Sequence, residues 1–473
     1  MSSSWKHFSA LLQRLNRRSS PILISGNSVD VLYSPEQFFT TLKDGVAKAR
    51  ERIILSSLYL GTQKREQELV RLIGDSLSDK PALHCSLLLD YLRGSRGAPN
   101  SRSMVQPLVN EYEDRFKLNL YHTPNLRGWL KWAGPERFNE VMGLQHMKIY
   151  IFDDDLVLSG ANLSRDYFVD RQDRYIWFKN CPQLTDYFAE LVTTTCSHSF
   201  TLKPDGATEA PSSVATDPLS SRQAAQVFRT SLNRAISDLI QKQHPMDKDI
   251  VCGGEGLNVK EGLDTAVFPL VQMGYYNIRQ DEEMTEELFE GLSDGDRLCL
   301  ASGYFNLPPR YVEALLEGKG EYHILAASPQ ANGFYGGKGV AGHVPAMYAH
   351  FAHKFLEKAS SLSCVERINY LEFYREGWTF HGKGLWLYPA GEHLPLLSLI
   401  GSSNYGHRSL TRDLEAQVAL ITTNQKLRES LHQEKIEMFE YGKRLSLADV
   451  TADVSRKLTF LEWLATTILK PHV

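Results

Sequence analysis

With 473 residues, 42% of them apolar, the chain holds enough material for two or three cored domains, which excludes a disordered tail or a disulfide-stapled miniprotein. A formal net charge of −4 argues against nucleic-acid binding through global electrostatics and leaves only a local basic patch for that purpose. Cys85, Cys181, Cys196, Cys252, Cys299 and Cys364 form no C-x-x-C pair, so neither a zinc site nor a disulfide framework is readable, and no apolar run approaches the roughly 20 residues that span a bilayer. A reducing compartment and peripheral membrane contact are the corresponding expectations.

In chain order, residues 1–20 come first. Trp5, Phe8, Leu11, Leu12 and Leu15 recur at helical spacing among Lys6, Arg14, Arg17 and Arg18, with no acid before Asp30. This basic amphipathic segment reads as the remnant of a mitochondrial presequence or as a surface helix covering the first lobe. Across residues 21–202, extended segments at 52–60 and 83–90 alternate with a helical one at 65–77, which predicts an α/β lobe with a mixed sheet. Residues 147–152 and 156–159 read as a hairpin turning at Asp153-Asp154-Asp155, a place that favours Asp without any metal. Residues 203–222, rich in Pro, Ala, Ser, Thr and Gly, read as a flexible linker. A second lobe fills 223–473, where extended residues 385–388 and 396–400 flank a Pro-Ala-Gly-Glu turn.

The chemistry is carried by a pattern that occurs twice: His146-Met147-Lys148 leading to Asn162, and His381-Gly382-Lys383 leading to Asn404. Eleven residues after each asparagine stands a carboxylate, Asp173 and Glu415. One His-x-Lys is a weak signal; two with matching order and spacing are a strong one. Side chains two apart on a strand share a face, so each His points with its Lys. The set suits a phosphodiester or pyrophosphate. Lys148, Lys383, Asn162 and Asn404 oppose charge building on phosphoryl oxygens, one imidazole attacks while the other moves a proton, and each carboxylate fixes a histidine tautomer.

At these residues the chain resembles the phospholipase D superfamily, whose signature is HxKxxxxD followed by a GSxN-type turn. Asp153 falls in register with His146, and the turns read Ser159-Gly160-Ala161-Asn162 and Gly401-Ser402-Ser403-Asn404. The resemblance adds Asp153 to the catalytic set, although Tyr388 at its counterpart suggests that the aspartate braces its loop. The fold it implies is α/β: two phospholipase D-like lobes, each a mixed sheet flanked by helices, related by a pseudo-twofold axis with the site between them.

Other segments narrow the resemblance. DYLRGSRG (90–97), HTPNLRG (122–128), GLQHMK (143–148), SGANLSRDYFVDRQDRY (159–175), NIRQD (277–281) and ANGF (331–334) are similar to the eukaryotic phosphatidylglycerophosphate synthases. That family transfers a phosphatidyl group from CDP-diacylglycerol to glycerol 3-phosphate, releasing CMP, in mitochondrial phosphatidylglycerol and cardiolipin synthesis. By resemblance His146 is the nucleophile and the site of action is the matrix side of the inner membrane, peripherally bound. The mechanism requires no cofactor; Mg or Mn accompanying the CDP pyrophosphate is compatible with it.

Arg93, Arg96, Arg171, Arg174 and Lys338 are the candidate substrate cations, because acceptor and CDP both carry phosphate. Residues 126–132, which combine Trp129 and Trp132 with Arg127 and Lys131, suit a headgroup interface, and residues 334–348 suit a phosphate loop or an acyl channel. Three other readings stay open: a phosphodiesterase or nuclease sending water to the same intermediate, a cardiolipin or phosphatidylserine synthase using another acceptor, and an inactive lipid-binding protein.

Overall fold

The computed structural model describes residues 3–127, 142–242, 252–253, 256–257, 262–337 and 342–446. Two large mixed sheets dominate it. In the first, Arg52–Ser56, His84–Asp90 and Phe116–Tyr121 run parallel, joined by helices Lys64–Asp79 and Ser101–Glu111. On the other side of Arg52–Ser56 the strands Ile149–Phe152, Asp155–Ser159, Tyr175–Phe178 and Val29–Leu32 follow antiparallel. The second sheet repeats this plan. Arg297–Ser302, Glu321–Ala327 and Ile368–Phe373 run parallel, and Lys383–Tyr388, Leu397–Gly401, Glu415–Thr422 and Thr265–Met273 follow antiparallel. Both expected hairpins are present, and the α/β architecture of two mixed sheets flanked by helices is as read from the sequence.

Side-chain alternation explains the layering. Ile149 and Ile151 face the second sheet, whereas Tyr150 and Phe152 face the outer helices; Trp386 and Tyr388 face inward, whereas Leu385 and Leu387 face outward. Because both faces of these strands are buried, they read as nearly unbroken apolar runs. The inner cluster draws on both sheets and on the apolar faces of helices Pro182–Ser197, Arg222–Lys242 and Gln425–Phe439. The lobes therefore share one core.

Three expectations need correction. Strand Ile22–Ile24, assigned by sequence to the first lobe, pairs antiparallel with Thr265–Met273 in the second sheet. Helix Ser3–Arg18 likewise buries Leu11, Leu12 and Leu15 in the outer core of the second lobe, not the first. Its Arg14 and Arg18 pair with Glu287 and Glu283 of the acid-rich helix Gln280–Glu290. The stretch 203–222 is tied down: Thr208–Glu209 pairs with Phe200–Leu202, the Arg102 guanidinium donates to the Gly206 carbonyl at 2.8 Å, and Ser213 N–H donates to the Ser197 carbonyl. Small polar residues were read there as freedom, but their backbone groups find partners.

Arg174, a candidate for substrate, is fully buried. Its Nε and Nη2 donate to Glu434 at 2.9 and 2.8 Å, Nη1 donates to the Leu399 carbonyl at 2.7 Å, and the guanidinium stacks over Trp386 at 3.8 Å. Only a glycine fits beneath it: Gly384 has φ +136°, and a Cβ there would run into Arg174 Nη1. Arg174 thus stitches the first sheet to the second and to helix Gln425–Phe439. Arg174→Met leaves Glu434 as an unpaired buried charge, and urea unfolding is expected to register a loss of about 3–5 kcal/mol. A loss under about 1 kcal/mol, the range of exposed pairs, would contradict the clamp.

Candidate active site

The chain entering each histidine is paired with the chain entering the other half's carboxylate. His146 N–H donates to the Leu414 carbonyl at 2.9 Å, and Leu414 N–H donates to the Leu144 carbonyl at 2.8 Å, immediately before strand Glu415–Thr422. In the same manner Thr379–Phe380 pairs in parallel with Arg171–Gln172, and His381 N–H donates to the Gln172 carbonyl at 2.8 Å. The side chains cross accordingly. His146 Nδ1 lies 2.9 Å from Glu415, and His381 Nδ1 lies 2.7 Å from Asp173 Oδ2. Each carboxylate thereby accepts a ring N–H from the opposite half and leaves Nε2 as the reactive nitrogen.

The lysines follow on the same faces. Lys148 Nζ donates to the His146 carbonyl at 2.6 Å, while Lys383 Nζ lies 2.9 Å from both ring nitrogens of His381 and 3.4 Å from the Gly160 carbonyl. Gly160 is needed where it stands, because a Cβ would meet Asp173 Oδ1 at 2.5 Å. Ser159 Oγ accepts from Ala161 N–H and Tyr150 donates to the Ala161 carbonyl at 2.6 Å, which holds the turn carrying Asn162. Asn162 Nδ2 in turn donates to the Tyr167 hydroxyl at 3.0 Å.

Burial sets the electrostatics. It pushes the Asp173 carboxyl up to about 6 and that of Glu415 up to about 7, against the pull of the lysines. The same desolvation, aided by neighbouring cations, lowers Lys383 to about 8 and holds His146, His381 and Lys148 well below their ordinary values. Both imidazoles are consequently neutral at pH 7. Their surroundings differ: beyond burial and the lysines, Asp413 raises His146 and Arg408 lowers it, whereas at His381 burial, Lys383 and then Arg171 all lower the ring with no carboxylate opposing them among the main causes.

Comparison with known proteins decides the family. No protein-family model matches the chain. The mitochondrial CDP-diacylglycerol--glycerol-3-phosphate 3-phosphatidyltransferase of Mus musculus is 42% identical over 435 residues, covering 88% of this chain and 78% of that protein. Its Homo sapiens namesake is 41% identical over 438 residues with the same coverage, and that of Saccharomyces pastorianus is 34% identical over 470 residues, covering 94% and 88%. The chain belongs to the CDP-diacylglycerol--glycerol-3-phosphate 3-phosphatidyltransferase family. A crystal structure of phosphatidylserine synthase from Haemophilus influenzae shares the fold, with a TM-score of 0.74, 20% identity, and coverage of 98% of this chain and 99% of that one.

In this phosphatidyltransferase the site gathers His146, Lys148, Asn162, Asp173, His381, Lys383 and Glu415, all buried, while half-buried Asn404 is held through its backbone by Ser302 and by Ser409. Asp153 is not among them. It sits at the hairpin turn with φ 51°, seven residues along the strand from His146, and accepts from the backbone N–H groups of Arg50, Glu51 and Arg52 at 2.9–3.0 Å. Burial pushes its carboxyl up, and those three donors outweigh the push to hold it below the ordinary value. It braces the loop, which accounts for the tolerance of Tyr388, whose hydroxyl finds His432 Nδ1 at 3.1 Å.

The cations divide. Arg171 joins the site: it bonds Thr379 Oγ1 at 2.9 Å, pairs with Asp166, stacks over Tyr167 at 4.7 Å, and depresses His381. The Arg93 guanidinium lies over Tyr59 at 4.8 Å, within electrostatic reach of Tyr304 beside His381. Arg96 ends the short helix Tyr91–Ser95, and Arg174 belongs to the core. Lys338, like Trp129 and Trp132, lies outside the described residues.

Sequence reasoning missed Tyr167, Tyr304 and Asp413. Tyr167 stands five residues after Asn162, as Ser409 does after Asn404, so the repeat marked the position without revealing its role. Ligand atoms of His146, Asp413 and Glu415 lie within 4.8 Å of one another, the geometry of a cation site. Asp413, however, is paired with Arg408 at 3.0 Å and accepts from Leu144 N–H, and Lys148 faces Glu415; the donor set is already satisfied by protons and cations of the protein.

The depressed Lys383 yields a pH prediction. Phosphate binding needs its ammonium form, so kcat/KM should fall as pH rises through about 8. An anionic phosphate in the bound complex stabilises that charge, and the alkaline limb of kcat should lie at higher pH than that of kcat/KM. Coincident limbs in the two profiles would contradict the assignment.

Proposed function

We propose that the chain transfers the phosphatidyl group of CDP-diacylglycerol to glycerol 3-phosphate, giving phosphatidylglycerophosphate and CMP through a phosphatidyl-histidine on His146. The family supports the substrates. The intermediate and the division of labour rest on one observation: two histidines, each bonded through Nδ1 to the other half's carboxylate, offer two Nε2 atoms to one buried, lysine-lined site. We read the repeated strand plan and this crossing as a pseudo-twofold relationship between the lobes.

In the first step His146 Nε2 attacks phosphorus, the bond to the CMP oxygen breaks, and Glu415 balances the charge of the phosphorylated imidazole. CMP leaves as a phosphate with a second pKa of about 6, so it needs little acid assistance. Lys148, Lys383, Asn162 and Asn404 face the charge that builds on the phosphoryl oxygens. In the second step His381 Nε2 takes the proton of the glycerol 3-phosphate hydroxyl as its oxygen attacks phosphorus and the bond to His146 breaks. His146 Nε2 makes no hydrogen bond among the described residues, which favours it as the nucleophile. Arg171 beside His381 supplies a cation for an acceptor that carries its own phosphate, and this favours glycerol 3-phosphate over an uncharged alcohol.

The lipid substrate calls for a membrane surface. Among the described residues no helix is long and apolar enough to cross a membrane, and exposed Phe334 and Tyr335 border an aromatic file in which Tyr304 contacts Phe334, Tyr348 and His381 at ring separations of 5.3–5.8 Å. Peripheral contact through this edge is the reading we adopt. The proposed location is the matrix side of the mitochondrial inner membrane, in keeping with the mitochondrial names of the relatives.

Incubation with CDP-diacylglycerol and separate acceptors, with the lipid product identified by mass, tests the overall reaction. For the intermediate, His381→Ala should release a burst of about one CMP per site and then stall with phosphatidyl-enzyme accumulated. Absence of a burst in rapid-quench measurements of that variant would overturn the role given to His381.

A further inference from the structure

We propose that the Tyr167 hydroxyl caps the reactive nitrogen of His381, withholding it from water until the acceptor hydroxyl displaces the cap, and so makes the site a transferase in preference to a hydrolase. The inference rests on the two-step reading above. Its geometry is a directed chain. Asn162 Nδ2 donates to the Tyr167 oxygen at 3.0 Å, Tyr167 O–H faces His381 Nε2 at 3.3 Å, and His381 Nδ1–H is held by Asp173 at 2.7 Å. With Nδ1 carrying the ring proton, Nε2 is an acceptor; the Lys383 ammonium stands 2.9 Å from it, at the same distance as from Nδ1, and the Tyr167 hydroxyl is a second donor at 3.3 Å. Burial keeps that hydroxyl protonated, far above its ordinary value.

The tyrosine is fixed in place. Its ring meets His381 edge-on at 5.1 Å with an interplanar angle of 78°, the Arg171 guanidinium covers it at 4.7 Å, and the short helix Arg165–Val169 carries it. Glu66 accepts from the N–H of Arg165 at the first turn of that helix. The other half has no such cap. Ser409, at the matching offset from Asn404, uses its Oγ to accept from Asn404 N–H, and His146 Nε2 is left bare among the described residues. One histidine is thus open to phosphorus and the other is covered.

The need for a cap follows from the chemistry. Once CMP has left, water could attack phosphorus: the P–N bond breaks, the electron pair returns to His146 Nε2, and the water proton passes to His381 Nε2, yielding phosphatidate. When Lys383 turns to the phosphoryl oxygens, Tyr167 is the donor left at Nε2, and water competes poorly for a nitrogen so bonded. An acceptor anchored by its phosphate is held against that nitrogen at high effective concentration and displaces the cap.

The test measures phosphatidate formed from CDP-diacylglycerol without glycerol 3-phosphate, relative to phosphatidylglycerophosphate formed with it. Tyr167→Phe keeps the ring and its packing. The ratio should rise by at least about tenfold, the equivalent of one lost hydrogen bond. A second variant, 3-fluorotyrosine at position 167, preserves shape and strengthens the donor, and it should move the ratio the other way. An unchanged ratio in either folded variant, as judged by thermal melting, overturns the proposal. Failure of the wild-type protein to make phosphatidylglycerophosphate would instead overturn the reading on which it rests.

Discussion

The site depends on an exchange of hydrogen bonds between the two halves of the chain: His146 with Glu415, and His381 with Asp173. Neither half contains a complete reactive histidine. An imidazole without its carboxylate loses the partner that selects its tautomer, and a buried carboxylate without its histidine is a charge with too few donors. The backbone pairings at His146–Leu414 and His381–Gln172 enforce this crossing, and the Arg174–Glu434 clamp and the shared inner core keep the sheets in register behind it. The site is complete only where the two halves are packed together.

Desolvation has a functional use here. The two carboxyls and the two lysines of the site are pushed toward neutrality, and both histidines are neutral. Neutral imidazole is the form that attacks phosphorus or accepts a proton. An incoming phosphate restores the value of the lysine charges in the low-dielectric site where they act most strongly. The unequal flanks, Asp413 toward His146 and Arg171 with Tyr167 toward His381, then distinguish two residues that the repeat alone leaves equivalent.

Much of this was legible in the sequence because the signals were local. The hairpins at Asp153 and at 389–392 followed from apolar runs broken by turn residues, and His146, Lys148, Asn162, Asp173, His381, Lys383 and Glu415 converge because the repeat preserved their order and spacing. What was hidden depended on distant partners. Arg174, adjacent to Asp173, resembled a phosphate ligand until Glu434, 260 residues away, claimed it. The N-terminal helix showed an apolar stripe without naming its destination, which the outer apolar cluster of the second lobe and the acids of Gln280–Glu290 together supply. Asp153 followed the motif of the superfamily, yet its distance along the strand removes it from the chemistry and ties it to backbone donors. Tyr304 reaches His381 from a loop that carries no motif at all.

The crossing itself is open to direct measurement by rapid-quench comparison of CMP release in Asp173→Asn and Glu415→Gln. Because Asp173 serves His381, its variant should keep the CMP burst and lose turnover; because Glu415 serves His146, its variant should lose the burst. The opposite pattern, with the burst abolished by Asp173→Asn and retained in Glu415→Gln, would contradict the account.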